Sequence, residues 1–272
     1  MNEVKEKIFS LFDKDNYGYP FDEEAFERFI KETTELISLD YLKRDISLFL
    51  VSRYVDDIKG DLSLILKNIP TFEREEKISF FVKKIPEIKN KIEGTILSIF
   101  NGDPACKNKQ QIVLSYPGYK AILYYRIAHV FYSENLLLLS RYISEKAHQI
   151  TGIDINPGAE IGDNFFIDHG TGIVIGETAV IGNNVKMYQG VTLGALSLKD
   201  GRELSSKKRR PTIEDNVTIY SNSAIFGGET VIGHDSIVGA ICYLTSSIPP
   251  YSIVRQGEGG QKISPRKDIQ FK

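Results

Sequence analysis

The sequence has too few cysteines to build a disulfide framework. Only Cys106 and Cys242 occur among 272 residues, and their spacing matches no zinc-binding pattern. Two isolated thiols are typical of a protein that is kept reduced. We therefore expect a cytoplasmic protein whose fold is held by apolar cores, for which 42% hydrophobic residues are sufficient.

An excess of charge of either sign is also missing. The 34 basic and 36 acidic residues leave a formal net charge of -2, which provides no overall field to attract a nucleic acid or an anionic membrane. The longest aliphatic run is only Leu136 to Leu139, and the first ten residues lack a signal-type apolar core. We expect no nucleic-acid partner, no membrane-spanning segment and no export through a signal peptide.

What the sequence does have is an apolar residue at every sixth position. One phased run is Ile155, Ile161, Ile167, Ile173, Ala179, Val185 and Val191, and a second is Ile213, Ile219, Ile225, Val231, Ile237 and Tyr243. A period of six fits neither a helix nor a simple alternating strand, so each hexad predicts one short strand and a corner. The pattern predicts a parallel β-helix of hexapeptide repeats.

Helical periodicity dominates residues 1–150. Apolar residues recur at spacings of three and four between Ile46 and Leu66, and Tyr119 to Thr151 contains neither glycine nor proline. Pro70 and Pro86 are expected to separate helices, and Gly152 to end the last one. We predict an α-helical domain at 1–150, a β-helix domain at 151–254 and a C-terminal tail at 255–272, extended or poorly ordered.

The second half also contains an interruption. Val191 and Ile213 are 22 positions apart, which is not a multiple of six, so the polar and basic segment 195–210 is predicted to leave the β-helix as a loop. Insertions in solenoids usually emerge on one face, often the binding face. We expect this loop to contribute to function.

His169 is the histidine whose position points to chemistry. It lies in Asp168-His169-Gly170, directly after the apolar position Ile167, where a coil turns its corner. If a coil takes three hexads, Asp154 lies about one corner away, so its carboxylate could orient the imidazole. Such a pair raises the basicity of the ring and leaves one nitrogen to take a proton from a hydroxyl. The alternative is that both residues are ordinary polar residues of a corner.

Several stretches resemble the serine O-acetyltransferases, the enzymes that open cysteine biosynthesis. They are Gly152 to Gly162, Asp168 to Ile181, Gln189 to Gly194 and, in the helical half, Asp103-Pro104-Ala105 and Tyr125 to His129. The resemblance covers about residues 95 to 250. It implies an α+β multidomain protein, in which an N-terminal α-helical domain precedes a left-handed parallel β-helix. The implied reaction transfers the acetyl group of acetyl-CoA to the hydroxyl of L-serine without a metal.

The same resemblance assigns roles to individual residues. His169 falls on the family's general base and Asp154 on the carboxylate that orients it. Asp168 and Asp103 fall on the carboxylates that hold the substrate's amino group and hydroxyl, and Arg209 falls on the arginine that grips its carboxylate. Opposite charges at the two ends suit a zwitterion such as serine. Since no serine or cysteine is specified beside the pair, we expect direct transfer.

Coenzyme A is expected along the β-helix. By resemblance, its pantetheine arm lies near four small residues, Gly194, Ala195, Ser221 and Ala240. Small residues allow an extended ligand to lie against the backbone, although coil packing explains them equally well. Lys207, Lys208 and Arg210 are candidates for contact with the phosphates of CoA, and the alternative is a solvated loop.

One position of the loop departs from the family pattern. This chain has Arg209-Arg210-Pro211 where the family has Arg-His-Pro, and a guanidinium cannot act as a base. Arg210 could tighten the hold on a carboxylate, admit a more acidic acceptor or block the site. We therefore count Arg210 among the candidate substrate-binding residues.

Assembly is also implied by the resemblance. Relatives form homotrimers with active sites between the prisms, and their helical domains pair two trimers into a hexamer. Many relatives enter the active site of cysteine synthase with a C-terminal isoleucine. Because this sequence ends at Lys272, we expect that complex to be weak or absent.

Two other functions stay open at this point. One is a hexapeptide acetyltransferase with another small amino-acid or hydroxyl acceptor, and the other is a non-catalytic β-helix scaffold. The joint presence of Asp154, Asp168, His169 and Arg209 counts against a scaffold. A zinc enzyme is disfavoured, because only His169 and His234 lie among the coils.

Overall fold

The structure, a computed structural model, describes residues 2–10, 21–43, 45–68, 73–197, 207–257 and 260–266. Its helices precede its strands. They are α1 (Asn2–Phe9), α2 (Glu23–Ile37), α3 (Leu39–Leu42), α4 (Leu48–Ile65) with a 3₁₀ turn at Leu66–Asn68, α5 (Arg74–Gly102), α6 (Lys109–Ser115), α7 (Pro117–Ser133) and α8 (Leu137–Thr151). Among these described helices, none has the length and apolar character needed to cross a membrane.

Short strands follow at regular intervals. They are β1 (Asp154–Ile155), β2 (Glu160–Ile161), β3 (Phe166–Asp168), β4 (Val174–Ile175), β5 (Val180–Ile181), β6 (Lys186–Tyr188), β7 (Thr192–Gly194), β8 (Thr212–Ile213), β9 (Thr218–Ile219), β10 (Ala224–Phe226), β11 (Val231–Ile232), β12 (Ile237–Val238), β13 (Tyr243–Leu244), β14 (Ser252–Gly257) and β15 (Gly260–Pro265). Strands β1 to β13 enter three different sheets in rotation, so the chain winds into a triangular coil. The predicted helical region followed by a parallel β-helix is confirmed.

The three sheets meet at edges formed by the corner residues. The five-stranded sheet has the order β1-β4-β7-β10-β13, the four-stranded sheet β11-β8-β5-β2 and the six-stranded sheet β15-β14-β12-β9-β6-β3. We call the corners that join the six-stranded to the five-stranded sheet the His169 edge (169–173, 189–191, 220–223 and 239–242). We call those that join the five-stranded to the four-stranded sheet the Arg210 edge (176–179, 195–197, 207–211 and 227–230).

The first coil is longer than the predicted three hexads. Asp154 pairs with Val174, whereas Val174 pairs with Thr192, so the first coil has 20 residues and the second 18. The two extra residues lie in the corner between Asp168 and Ile173. As a result, the strand residue facing inward after Ile167 is Ile175, and Ile173 is buried at the corner. Asp154 therefore stacks under Val174 and not, as predicted, under position 172.

The predicted phase is also wrong at the end of the repeat. Ile232, Val238 and Leu244 face the interior, whereas Tyr243, one position earlier, is 61% exposed. Val231 follows Ala224 by seven positions, whereas Val180 follows the equivalent residue Val174 by six, and Gly227 takes a φ of 103° in the longer stretch. Such a backbone conformation is accessible to glycine at little cost. The extra residue moves every later apolar position by one.

Two further expectations differ from the structure. Helix α5 continues through Pro86, because Ile85, Ile88 and Ile92 are buried on one side, and their packing offsets the lost hydrogen bond.

Part of the predicted tail forms the antiparallel hairpin β14–β15. Strand β14 also pairs with β12, where Val254 lies beside Val238 and is fully buried, and this pairing holds the hairpin on the β-helix. The end of the tail, residues 267–272, lies outside the described residues, as does segment 198–206 of the predicted loop. Gly152 ends α8 in the left-handed conformation, as predicted.

The chain forms two compact units. One comprises residues 1–36 and 47–82, and the other comprises residues 37–46 and 83–272. Helices α2 and α4 of the first unit bury Phe26, Phe29, Ile58 and Leu62. The second unit contains α6 to α8 together with the whole β-helix. The change from helix to strand falls between Thr151 and Asp154, and the domain boundary near residue 150 stays a prediction.

Helix α7 closes the first coils of the β-helix with polar side chains. The Tyr125 hydroxyl donates to the carbonyl oxygen of Ala159 at 2.6 Å. The Arg126 guanidinium donates to the carbonyl oxygens of Ile161 and Gly162, and the residue is only 5% exposed. Burial lowers the pKa of Arg126. A buried cation is tolerated when it is hydrogen-bonded in this way, so Arg126 ties α7 to the corner after β2.

Gly118 brings α7 into contact with β3, the strand that leads into the His169 corner. A Cβ atom at this position would lie 2.4 Å from the Ile167 carbonyl oxygen and 2.9 Å from its Cβ atom. We expect Gly118→Ala to lower the free energy of unfolding by about 1–3 kcal/mol, because backbone must move to relieve the overlap. Urea unfolding followed by circular dichroism measures the change.

Gly60 provides the matched control for this substitution. It lies within α4, and a Cβ atom there would meet nothing within 4 Å. Gly60→Ala should instead stabilise the protein by roughly 0.5–1 kcal/mol, because alanine loses less backbone entropy in a helix. Equal effects of the two substitutions would contradict the close approach of α7 to β3.

Candidate active site

His169 projects from the two-residue insertion in the first coil. Its φ of 56° is left-handed, a conformation that is uncommon for residues other than glycine. The backbone N–H of His169 donates to Asp168 Oδ1 at 2.8 Å, and its Nε2 lies 3.8 Å from Asp168 Oδ2. The His169 side chain is 71% exposed. The bulge therefore carries the imidazole out of the prism and holds it beside the Asp168 carboxylate.

Asp154 lies one coil away from this corner, at the start of β1. Its Oδ1 is buried and makes no hydrogen bond, and it lies 3.6 Å from Arg141 Nη1. Ligand atoms of Glu145, His148 and Asp154 also lie within 4.8 Å of one another. Within the described ranges, no hydrogen bond joins Asp154 to His169, so their pairing stays a prediction. A buried carboxylate oxygen that makes no hydrogen bond is an acceptor to which an imidazole N–H could donate.

Asp103 reaches the same edge from the turn that follows α5. The Tyr116 hydroxyl donates to its Oδ2 at 2.6 Å, and the Ala105 backbone N–H donates to its Oδ1 at 2.8 Å. These two hydrogen bonds, the first more than the second, lower the pKa of Asp103, and neighbouring His169 lowers it further. Asp103, Asp168 and His169 therefore form one polar group with a carboxylate that stays ionised.

Replacing Tyr116 tests this arrangement. Because the Tyr116 hydroxyl is the largest cause of the lowered pKa of Asp103, Tyr116→Phe should raise that pKa towards the ordinary value of about 3.9. A lowered pKa stabilises the folded state above the ordinary value, and this stabilisation is lost as the pH falls through the folded pKa. The variant should therefore lose less stability upon acidification. A carboxyl NMR titration measures the pKa.

Tyr41→Phe is the matched control, because the Tyr41 hydroxyl donates to Glu93 and not to Asp103. The pKa of Asp103 should be unchanged in this variant. If Tyr116→Phe also left it unchanged, the hydrogen bond from Tyr116 would not be the cause.

The arginine pair lies on the Arg210 edge, a different edge of the coil. The backbone N–H groups of Arg209 and Arg210 both donate to Thr178 Oγ1, at 3.0 and 3.1 Å. The Arg209 Nη2 donates to Glu177 Oε2, and the Tyr132 hydroxyl donates to Glu177 Oε1 at 3.2 Å. Thr178 thus fixes the backbone of the pair, and Glu177 holds the Arg209 side chain.

Arg210 has no such partner. Its Nε and Nη1 atoms are buried and make no hydrogen bond. The guanidinium lies against Gly176, where a Cβ atom would be 2.0 Å from Nε. Burial, and then the neighbouring charge of Arg209, lower the pKa of Arg210. The side chain is therefore a cation whose charge is not neutralised by an ion pair within the described chain.

The four small residues predicted to line the CoA arm divide between the same two edges. Gly194 ends β7 and Ala195 begins the corner that follows it at the Arg210 edge, whereas Ser221 and Ala240 lie at the His169 edge. The predicted site residues divide likewise, since Asp103, Asp168 and His169 are at one edge and the arginines at the other. A single chain therefore presents two half-sites.

Sequence reasoning missed three residues that shape these half-sites: Tyr116, Glu177 and Thr178. Glu177 and Thr178 belong to a stretch that was noticed only for its resemblance, and their bonds to Arg209 join positions about 32 apart in the chain. The one sequence feature that could have pointed to Glu177 is its carboxylate, which lies directly after the corner glycine Gly176. Tyr116 carried no signal, because a tyrosine before a helix is ordinary.

The curated proteins that are most informative for this chain are described as serine acetyltransferases. A serine acetyltransferase of Synechococcus elongatus is 45% identical over 181 residues, which are 65% of this chain and 56% of that protein. A serine acetyltransferase of Staphylococcus xylosus is 41% identical over 164 residues, 60% of this chain and 73% of that protein. The chain thus spans little more than half the length of the first relative. No family model matches the sequence.

Solved structures extend the likeness over most of the chain. Serine acetyltransferase isoform 3 of Entamoeba histolytica, in complex with cysteine, has a TM-score of 0.74 and 30% identity, covering 92% of this chain and 89% of that one. A serine acetyltransferase in complex with CoA has a TM-score of 0.61 and 27% identity, covering 89% of this chain and 99% of that one. Both the helical half and the β-helix are included at this coverage.

Proposed function

This chain belongs to the serine acetyltransferase family, and we propose that it transfers the acetyl group of acetyl-CoA to the hydroxyl of L-serine. The products are O-acetyl-L-serine, an intermediate of cysteine biosynthesis, and CoA. The observation that carries the proposal is the two half-sites: two carboxylates and an imidazole at one edge, and an arginine pair at the other. Together they match the ammonium, hydroxyl and carboxylate of an amino acid.

The proposed chemistry is a direct transfer. His169 takes the proton of the serine hydroxyl as its oxygen attacks the thioester carbonyl, because the hydroxyl is a weak nucleophile at neutral pH. The carbon–sulfur bond then breaks, and the thiolate of CoA receives the proton from the imidazolium. Asp154 would orient the imidazole through Oδ1, which makes no hydrogen bond, and Asp103 and Asp168 would hold the ammonium and hydroxyl of serine. No step requires a metal.

We further propose that the complete site forms between copies of the chain. A homotrimer, alone or paired into a hexamer, would bring the His169 edge of one copy to the Arg210 edge of the next. Gly194 and Ala195 of one copy and Ser221 and Ala240 of its neighbour would then flank the same CoA arm. Light scattering should give a mass three or six times 30.7 kDa, and a monomer that is active would contradict the shared site.

The location we propose is the cytoplasm. It is supported by the two cysteines, Cys106 and Cys242, which are both buried and unpaired.

One assay tests the proposed activity. The release of CoA thiol from acetyl-CoA is followed with L-serine, with other small amino acids and with amino sugars as acceptors. We expect release with L-serine. Release with another acceptor alone would favour the wider hexapeptide acetyltransferase class, and a folded protein that releases no thiol with any acceptor would favour a scaffold.

A further inference from the structure

Building on the proposed function, we infer that Tyr220 and Ile241 bind the pantetheine arm of the acyl donor at the His169 edge. The two side chains flank Ser221 and Ala240, the small residues beside which we place that arm. They hold the arm from both sides and take no part in proton transfer. Tyr220 and Ile241 are thus donor-binding residues, which set the KM for acetyl-CoA.

The ring of Tyr220 is an exposed apolar surface that is already fixed in place. Tyr220 is 42% exposed, and its ring stacks on that of Tyr188, with centroids 5.1 Å apart and planes inclined by 13°. The ring of Tyr188 in turn packs edge-on against Phe166 at 6.1 Å. Aromatic pairs of this geometry are favourable beyond the area that they bury. A ligand that packs on Tyr220 therefore has to order little of the protein.

The row of side chains that contains Tyr220 begins at the proposed acceptor site. Tyr188 lies beside Asp168 in the register of β3 and β6, and Tyr220 is the next member of the row. Burial, and then neighbouring Tyr220 and Asp168, raise the pKa of Tyr188, which agrees with this order. Two strand spacings place Tyr220 about 10 Å from Asp168 along the coil. A donor whose thioester lies at His169 therefore passes Tyr220 in the middle of its arm.

Ile241 faces Tyr220 from a strained corner of the next coil. Gly172, Gly190 and Asn222 occupy the same corner of the preceding coils, with φ values of 80°, 71° and 58°. Glycine and asparagine tolerate this left-handed backbone, whereas a β-branched residue rarely adopts it. Ile241 nevertheless has a φ of 60°, and the residue is 69% exposed. Packing inside the coil does not explain an isoleucine here, but an apolar ligand at the corner does.

We call Tyr220, Ser221, Gly239, Ala240 and Ile241 the donor groove. Its floor is made of the small residues, and Gly239 follows Tyr220 in the same row, so that position adds no side chain beyond the ring. None of the five residues is charged. The groove therefore suits the methylene and amide groups of the pantetheine arm and not the phosphates of CoA.

The test uses acetyl donors of three lengths: acetyl-CoA, S-acetylpantetheine and S-acetyl-N-acetylcysteamine. The last one ends after the first amide of the arm, before it reaches Tyr220. Tyr220→Ala should lower kcat/KM for the two longer donors by about 10-fold, the effect of burying roughly two methylene groups, and should act through KM. For the shortest donor kcat/KM should stay the same. The KM for L-serine should also be unchanged.

Two variants protect the test against a folding defect. Ile241→Asn should lower kcat/KM for the two longer donors in the same way, whereas its midpoint of urea unfolding should stay the same or rise, because asparagine tolerates the left-handed backbone. A structural role alone would not separate binding from stability in this direction. Tyr220→Phe keeps the ring and should keep most of kcat/KM for every donor.

Tyr251→Ala is the matched control for the loss of a paired ring. The Tyr251 ring packs edge-on against His234 at 4.9 Å, at the edge that joins the four-stranded to the six-stranded sheet. This edge is away from both half-sites. The substitution should leave kcat/KM unchanged for all three donors.

The outcomes separate this inference from the proposed function. If Tyr220→Ala lowers kcat/KM equally for all three donors, or changes the mass measured by light scattering, the ring supports the site or a neighbouring copy, and the inference is wrong. Calorimetric titration with CoA gives a readout without turnover. Equal affinity of the unmodified protein and both variants for CoA would also overturn the inference. A protein that binds CoA through Tyr220 and Ile241 but acetylates no acceptor would refute the activity alone.

Discussion

Replacing His169 by alanine should lower kcat for acetyl transfer to L-serine by about 10²–10⁴-fold, the usual contribution of a general base. The imidazole is mostly exposed on a corner insertion, so its loss should not unfold the coil. The KM for acetyl-CoA should stay close to its original value, because the ring is assigned to the proton and not to the coenzyme. Thiol release under saturating substrates measures the change.

His234→Ala is the matched control. His234 also lies at a corner among the coils, and its Nδ1 is 2.8 Å from Asp235 Oδ2, away from both half-sites. Its replacement should leave kcat unchanged. If kcat of His169→Ala stayed within tenfold of the original value, His169 would not be the general base. The proximity of His169 to Asp168 would then be a structural feature of the corner only.

Arg126→Ala should lower the free energy of unfolding by about 3 kcal/mol or more. The substitution removes a buried cation from two buried carbonyl groups, and a hydrogen bond to a charged group contributes about 1.5–3 kcal/mol. It also leaves a cavity between α7 and the corner after β2. Urea unfolding at a fixed protein concentration measures the change through its midpoint and slope.

Arg53→Ala is the control for this loss. The Arg53 side chain is 57% exposed and lies 3.9 Å from Asp57 on the same helix. Exposed pairs of this kind contribute about 0–1 kcal/mol, so we expect a small effect. If the two arginine variants were equally stable, the hydrogen bonds of Arg126 would not hold α7 against the β-helix.

The architecture of this protein could be predicted from the sequence, because the inward-facing strand positions of a triangular coil are apolar and recur at nearly fixed intervals. The phase within it could not. Two extra residues beside His169 and one beside Gly227 change the inward-facing positions, and insertions in exposed corners cost the coil little. The same limit applies to Pro86, whose helix is maintained by the burial of neighbouring isoleucines, a tertiary effect that local rules do not include.

The candidate site could be predicted as a set of residue types but not as an arrangement. Asp168 and His169 are adjacent in sequence, so their proximity follows directly. The ion pair of Arg209 with Glu177 depends on the loop returning to the corner of an earlier coil, which no local spacing reveals. The division of the predicted residues between two edges likewise depends on which sheet each strand joins.

The register of the strands has a consequence for how such a protein can diverge. Strand β5 stacks on β8, which follows 32 positions later, as regularly as β2 stacks on β5, which follows 20 positions later. The pairing of the strands is therefore the same whether the corner that precedes β8 is short or contains a long insertion. A lineage can therefore lengthen, shorten or exchange residues 195–210 without changing how the strands of the β-helix pair. Transplanting residues 195–210 into a related enzyme is a practical route to exploit that freedom.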